Sequence, residues 1–522
     1  MGALCADRHP GDAVALIEVD AAGRRREHTF GQVAQASNRL ANALRDGLGL
    51  SAGDRVGIVL PQRLETGLAH LASYKIGAVA LPLSGLFGPD ALRYRLGDSG
   101  ARAVITDEAH IELVAEVAAD TGATVISVDG ARSPHLDFWE LLQSGASAAS
   151  HASTRPDTPA LLIYTSGTTG APKGALHGHR VLHGHLPGFD LSHEFFGQPD
   201  DLFWTPADWA WIGGLMDGLM PSWFHGRPVL AARQSKFDPD WALRLMAEHA
   251  VRNVFLPPTA LKLMRQASVR DLDLRLRTIG SGGEPLGDEV LAWAREHLGV
   301  TINEFYGQTE ANLLVGNCAA VWEVRPGSMG RPYPGHEVSV IRDDGAPAAI
   351  GEVGQIAVRA PDPVMFLGYW GKPEETLAKF TPDGSMLLTG DLASMDADGY
   401  FWYSSRSDDV INSAGYRIGP AEIEGCLIRH PAVLLAAVIG VPDPVRGEAV
   451  KAFVVLSEGH LASPDLETQI GEFVRAQLAA YLYPRHVEFV PELPLTTTGK
   501  VRRSELRARE RELRAADCGP GG

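Results

Sequence analysis

Tyr164-Thr165-Ser166-Gly167-Thr168-Thr169-Gly170-Ala171-Pro172-Lys173-Gly174 is the stretch on which the reading turns. It follows an apolar run, Leu161 to Tyr164, that reads as a buried strand, and it leads into a pattern that reads as a helix. Its glycines let the backbone turn sharply and aim N–H groups at an anion, and its hydroxyls and Lys173 add donors. That chemistry suits a nucleoside triphosphate. No G-x-x-x-x-G-K-[ST] occurs, so it is not a Walker A loop.

Upstream of this loop, strand and helix patterns alternate. Phe30 to Leu44 and the stretch through Leu64, Leu68, Leu71 and Ile76 have helical spacing, while Arg55–Leu60, Ala78–Leu83, Ala103–Thr106 and Val125–Val128 read as strands. Strands separated by helices imply parallel pairing with right-handed crossovers, hence an α/β architecture with helices on both sheet faces. Ala146 to Pro159 reads as a linker. After Asp391 the character changes. Gly399–Tyr403 and Asp408–Asn412 read as short strands, Pro420 opens a helix that Pro431 closes, and Val433–Val441, Ala449–Val455 and Val487–Val490 are strands around a helix at Leu466–Leu478. This block is a small α+β domain. Arg502 to Arg514 reads as a solvated helix, and Gly519 to Gly522 as a frayed tail.

The 522 residues exceed one compact core. With 47 Lys plus Arg against 64 Asp plus Glu the net charge is −17, which argues against a non-specific nucleic-acid coat. The four cysteines stand alone, at Cys5, Cys318, Cys426 and Cys518, so no disulfide framework is expected and a reducing, cytoplasmic setting fits. No signal peptide or apolar run long enough to span a bilayer is present.

The order S-G-T-T-G-x-P-K-G resembles the phosphate loop of the adenylate-forming superfamily, which includes acyl-CoA synthetases, luciferases and peptide-synthetase adenylation domains. Other motifs follow in the family's order. Gly282-Gly283-Glu284-Pro285 looks like the adenine-side loop. Tyr306-Gly307-Gln308-Thr309-Glu310 resembles Y-G-x-T-E, in which the ring stacks near adenine, the threonine contacts phosphate and the glutamate holds magnesium. Asp391 of Thr389-Gly390-Asp391 and Arg406 match the residues that reach the ribose, and Lys500 of Pro494-Leu495-Thr496-Thr497-Thr498-Gly499-Lys500 matches the lysine that grips the carboxylate and α-phosphate. The resemblance runs from about residue 15 to about residue 507.

It implies a large N-terminal adenylate-forming domain (1–407) of parallel and mixed sheets flanked by helices, plus a small mobile α+β domain (408–522) hinged at Asp408. It implies that nucleotide is held by Thr165, Ser166, Gly167, Thr168, Thr169, Gly170, Lys173, Gly283, Glu284, Pro285, Tyr306, Gly307, Gln308, Thr309, Asp391, Arg406 and Lys500. Lys500, Thr309, Glu310 and Arg417 are the implied catalytic residues, with Glu310 on Mg²⁺. Gly415, Tyr416 and Arg446 are the implied CoA contacts. The implied reaction joins a carboxylic acid to ATP as acyl-AMP with release of pyrophosphate, then passes the acyl group to coenzyme A.

Trp209, Trp211, Gly214, Gly282 and Gly307 resemble the family's acyl-pocket positions. Acetyl- and propionyl-CoA synthetases carry tryptophan where Gly307 stands. Removing an indole is expected to free on the order of 150–250 Å² of contact surface, room for a longer or aromatic acid whose methylenes each contribute roughly 0.8 kcal/mol on burial. The motif wording is most similar to the medium-chain acyl-CoA synthetases. Alternatives are an acetyl/propionyl-CoA synthetase, a ligase that loads a separate carrier protein, a non-catalytic nucleotide-binding regulator, and a luciferase-type oxygenase. Acylation of Lys500 by a modifying enzyme would remove the charge the first step needs. The oligomeric state, monomer or dimer, is left open, and no nucleic-acid partner is expected.

Overall fold

The computed structural model describes residues 1–130, 133–148, 150–165, 171–232, 234, 236–267, 269, 272–413, 416–443, 446–478, 482–496 and 500–517. Two large sheets carry the N-terminal part. The first has eight strands in the order Gly368–Tyr369, Lys173–Gly178, Pro159–Thr165, Val79–Pro82, Arg55–Val59, Ala103–Thr106, Thr124–Ser127 and Leu136–Asp137. It is parallel from Pro159–Thr165 onward through the crossover helices the alternating pattern predicts, and antiparallel at the other edge.

The second sheet has nine strands, with Asn253–Phe255, Thr278–Gly282 and Ile302–Gln308 parallel at its centre and Ala311–Gly316 returning antiparallel. Between the two sheets lies a large core. The helix Leu64–Lys75 is buried at every one of its residues, because its apolar side chains encircle it rather than forming one stripe. Gly67 leaves the gap that the indole of Trp223 fills, and Trp223 Nε1 donates to the Ala15 carbonyl at 2.7 Å.

A third, four-stranded antiparallel sheet (Val338–Ile341, Gly354–Arg359, Met386–Met395, Phe401–Arg406) sets Asp391 opposite Arg406 in register. Beyond it the C-terminal block has its own sheet, built on the long hairpin Val433–Asp443 and Gly447–Leu456, with His486–Phe489 added in parallel. The helices Pro420–Ile428 and Pro464–Gln477 pack on it through Ile423, Leu427, Ile470 and Val474, so it is a separate α+β domain with its own core. Among the described residues, no helix is long and apolar enough to cross a membrane.

Three readings change. The segment after the phosphate loop is the strand Lys173–Gly178, and the helix starts only at Val181. Lys-Gly-Ala-Leu-His-Gly has low strand propensity, and pairing with Pro159–Thr165 overrides it. Asp408 and Asp409 lie in a turn, with the next strand at Ile411–Ser413. The final helix, Arg503–Asp517, is docked rather than solvated: Leu506 is buried, Arg503 makes two 2.7 Å bonds to Glu424, and Arg507 reaches Asp409 at 2.6 Å. Its arginines repeat because the small domain presents carboxylates to them. Gly519 to Gly522 lie outside the described residues.

Candidate active site

Thr165 pairs with Lys173 in register at the mouth of the hairpin, so the phosphate-loop sequence connects two antiparallel strands instead of a strand and a helix. Ser166, Gly167, Thr168, Thr169 and Gly170 lie outside the described residues. Lys173 Nζ sits 5.2 Å from the Tyr369 ring centre, and the Tyr369 hydroxyl donates a short hydrogen bond to Glu310 Oε1. Tyr369 comes from the strand Gly368–Tyr369, which pairs with the strand carrying Lys173. One sheet edge thus brings the loop lysine and the Y-G-x-T-E glutamate together. Tyr369 belongs to no motif, so nothing in the sequence marks it. Burial, reinforced by the Glu310 carboxylate, raises its phenol pKa.

Beside this lies a second polar cluster. Asp391 is buried, and its Oδ2 accepts from the Tyr306 hydroxyl at 2.6 Å and from Gln308 Nε2 at 3.3 Å. Arg406 Nη1 lies 3.5 Å from Asp391 Oδ1, and its Nε donates to Asp408 at 3.0 Å. Burial raises the Asp391 pKa, and the Arg406 charge opposes that rise. Gly390 adopts φ +80°, a conformation that favours glycine, and so turns the chain between Thr389 and Asp391. Lys379, which no motif marks, joins the cluster through Gln308 Oε1 at 3.3 Å and the Thr389 carbonyl at 3.2 Å. Burial lowers its pKa, against the pull of Glu310 and Asp391.

From the C-terminal domain, Lys500 reaches the same place. Its backbone N–H donates to Thr496 Oγ1 at 3.0 Å and its carbonyl accepts from Thr496 N at 2.7 Å. Its Cε lies 3.5 Å from where a Cβ on Gly283 would stand, with Gly283 at φ +99°. Glu284, next in the chain, accepts from Thr259 at 3.2 Å. Gly283 and Glu284 therefore lie near the lysine, Pro285 is exposed, and Thr309 sits in the turn joining Gln308 to Glu310.

The acyl-side residues behave differently from expectation. A Cβ on Gly307 would lie 2.5 Å from the Leu313 N and 2.7 Å from Asn312 Cα and Oδ1. The returning strand Ala311–Gly316 occupies that position, so Gly307 does not leave an empty slot. Trp209 is fully buried in the large core and is a packing residue, whereas Trp211 is partly exposed and meets the Phe87 ring edge-on at 5.8 Å. Gly214 lets the chain pass against the carbonyl oxygens of Ala207 and Asp208. Two phenylalanines of the large core pack against neighbouring glycines. Phe255 and Phe305 stand 5.4 Å apart, with Gly213 against Phe255 and Gly280 and Gly282 against Phe305. Glycine positions facing phenylalanine rings carry no local pattern that a sequence reading could have caught.

In the C-terminal domain, Ser413 pairs with both Tyr416 and Gly447, which sets Tyr416 and Arg446, the CoA contacts the resemblance implies, at one end of the small sheet. Tyr416 is exposed, and the Arg446 N–H donates to Asp443 at 2.8 Å. Gly415 and the Arg417 side chain lie outside the described part. Among the described residues no group of three or more His, Cys, Asp or Glu could hold a metal ion.

Two sheet-based polar clusters are met by a lysine from a separate domain, an arrangement in keeping with an enzyme that joins an acid to a nucleotide. The chain belongs to the AMP-binding enzyme family: that family matches residues 4–370, and its C-terminal domain matches residues 422–500. It is 34% identical over 521 residues to an uncharacterized acyl-CoA ligase, YtcI, of Bacillus subtilis, covering 97% of this chain and 94% of that one. It is 35% identical to the human mitochondrial acyl-coenzyme A synthetase ACSM4, covering 95% and 86%. Its fold is similar to that of the anthranilate CoA ligase AuaEII in complex with anthranoyl-AMP, with a TM-score of 0.89, 29% identity and 98% of both chains covered. The enzyme is thus an AMP-forming acid–thiol ligase that uses ATP and CoA.

Proposed function

We propose that this ligase takes a medium-chain fatty or aromatic carboxylic acid as its acyl substrate, with the aromatic class favoured. The observation that carries the ligase reading is Lys500 beside Gly283, next to the Asp391–Tyr306–Arg406 cluster. Attack of a carboxylate on the α-phosphate brings two anions together, so the site must supply positive charge and fixed orientation. Lys500 and Lys173 supply the charge. Asp391, already held by Tyr306 and Gln308, offers its carboxylate to the ribose hydroxyls.

Mg²⁺ bound to Glu310 would neutralise triphosphate charge. One carboxylate completed by substrate phosphates is the donor set Mg²⁺ favours, and Glu310 beside Lys173 and Tyr369 fits it. For the second half-reaction the domain from residue 408 onward turns about Asp408, withdraws Lys500 and brings Gly415, Tyr416, Arg417 and Arg446 to the thiol. The turn placement of Asp408 supports that role, since hinges are element-terminal residues that absorb φ/ψ change. The aromatic preference rests on Phe255 and Phe305, and AuaEII, whose fold is similar, is a ligase of an aromatic acid.

Carboxylate-dependent ATP–pyrophosphate exchange tests this, over straight acids from acetate to dodecanoate plus benzoate, repeated with CoA and thioester detection. Exchange with benzoate or intermediate acids together with thioester formation is expected. Activity confined to acetate and propionate would overturn the substrate class, and exchange without thioester would redirect the acyl group to a carrier protein.

A further inference from the structure

Tyr369 is fixed more firmly than a residue at a sheet edge needs to be. It pairs in register with Ala175, its N–H donates to Thr376 Oγ1 at 2.8 Å, and the next N–H, of Trp370, donates to the Gly174 carbonyl at 2.7 Å. Its ring is buried and meets the Phe366 ring edge-on at 5.0 Å. From this anchored backbone the hydroxyl donates to Glu310 Oε1, while the ring centre lies 5.2 Å from Lys173 Nζ. The Phe366 N–H donates to the Glu310 carbonyl at 2.8 Å, so one short stretch holds Glu310 by both backbone and side chain.

The carboxylate of a glutamate turns about a soft terminal torsion. The phenol removes that freedom by committing Oε1, which leaves Oε2 as the oxygen to offer. Mg²⁺ demands near-octahedral geometry and sheds water reluctantly, so a site with one protein carboxylate depends on how that carboxylate is turned. Hydrogen-bond partners behind a metal ligand matter almost as much as the ligand itself. The ring adds a second restraint, because an ammonium within about 6 Å of an aromatic centroid is drawn to the ring face. It holds Lys173, whose long side chain has many rotamers, at the mouth of the phosphate-loop hairpin.

We infer that Tyr369 is a positioning residue for the ATP-binding step: its hydroxyl sets the Glu310 carboxylate for Mg²⁺, and its ring seats Lys173 for the phosphates. One side chain thus registers the Y-G-x-T-E motif against the phosphate-loop motif, two segments far apart in the sequence. This rests on the acid-activating reading above, with Glu310 as the magnesium residue, and deepens it.

ATP binding to the full-length protein, measured by calorimetry without any acid, tests this in EDTA and in excess Mg²⁺. By linkage, the ratio of the two affinities equals the ratio of Mg²⁺ affinities for bound and free ATP, so it reads the metal site without turnover. Tyr369→Phe keeps a ring beside Lys173 and removes the hydroxyl. It should leave affinity in EDTA unchanged and lower the ratio roughly 10- to 100-fold, the usual cost of losing a partner behind a metal ligand. Tyr369→Leu should lower the ratio equally and also weaken binding in EDTA roughly two- to fivefold, the scale of one cation–ring contact. In a Glu310→Gln background, Tyr369→Phe should leave the ratio where Glu310→Gln put it, since the hydroxyl acts through that carboxylate. A ratio unchanged in Tyr369→Phe, whether both affinities hold or fall together, overturns the inference and leaves acid activation standing. Equal EDTA affinities in the Phe and Leu variants overturn the ring's part in it. No ATP binding by the wild type overturns both readings. The Phe variant, which loses one oxygen, decides the hydroxyl's role even where the Leu variant does not fold.

Discussion

At the end the proposed reading gives to the nucleotide, Asp391 takes hydrogen bonds from Tyr306 and Gln308 and faces Arg406, and Lys379 and Lys500 add positive charge nearby. By contrast, Asp217 is a buried carboxylate that accepts from the Asn312 amide at 2.6 Å, with Gly213 and the Phe255 ring nearby. The first carboxylate is held by several side chains and faces a cation. The second is matched by a neutral amide. A nucleotide is the same in every cycle, so its site is preorganised by side chains that need not move.

Removing the lysine that belongs to neither sheet should have the largest effect. Lys500→Met is expected to lower acid-dependent pyrophosphate exchange by on the order of 10²–10³-fold, the usual loss when one preorganised charge on a developing anion is removed. Thioester formation from supplied acyl-AMP and CoA should persist, because in the proposed reading the lysine is withdrawn before the thiol step. Equal loss in both half-reactions would show that Lys500 holds the domains together instead.

Asp391→Asn asks whether the nucleotide end depends on charge or only on shape. The amide still fits beside Tyr306 and Arg406 but surrenders the charge that Arg406 and the ribose hydroxyls use. Losing one charge-assisted hydrogen bond is worth about 1.5–3 kcal/mol, so KM for ATP should rise roughly 10- to 100-fold while acid selectivity stays fixed. A shift in acid preference would erase the division between the two ends.

The acyl end can be probed by two adjacent glycines. A methyl on Gly214 would meet the backbone oxygens of Ala207 and Asp208, which cannot retreat. Gly214→Ala should destabilise by about 1–3 kcal/mol and lower Tm by a few degrees. A methyl on Gly213 meets the Phe255 ring edge at 3.0 Å, which can tilt, so Gly213→Ala should leave Tm nearly unchanged and raise KM for the acid alone. The reverse pattern would place the acyl gap elsewhere.

The two ends also differ in how legible they are in the sequence. The alternating strands and helices of the first 130 residues can be read there, and so can the short contiguous motifs that carry Asp391, Arg406, Glu310 and Lys500, residues the fold brings near one another. Parallel pairing runs from Arg55 to Thr165, as the alternation predicts. Lys173–Gly178 escapes because its strand exists only through pairing, and Arg503–Asp517 because charge repeats look alike whether solvated or docked. Gly307 misleads for a related reason: a missing side chain implies space only if nothing else moves in, and Ala311–Gly316 does. Phe255, Phe305, Asp217 and Asn312 meet across three separate stretches of chain, so no local window contains them.

Lys379 tests how complete the motif description of the nucleotide end is. It reaches Gln308 and the Thr389 carbonyl from the loop before the strand Met386–Met395, and no family pattern marks it. If it only braces Gln308, Lys379→Met should slightly lower stability and leave ATP binding alone. If its charge serves the nucleotide, KM for ATP should rise roughly three- to tenfold, the equivalent of about one hydrogen bond. The pH profile separates these outcomes. Because burial lowers the Lys379 pKa, the wild type should lose this cation at a lower pH than an ordinary lysine would, and its KM for ATP should climb with pH until it meets that of the variant. The Met variant, with no group to titrate, should show a flatter alkaline limb. Parallel limbs in the two proteins would assign the lysine to bracing and leave the nucleotide end to the residues the motifs name.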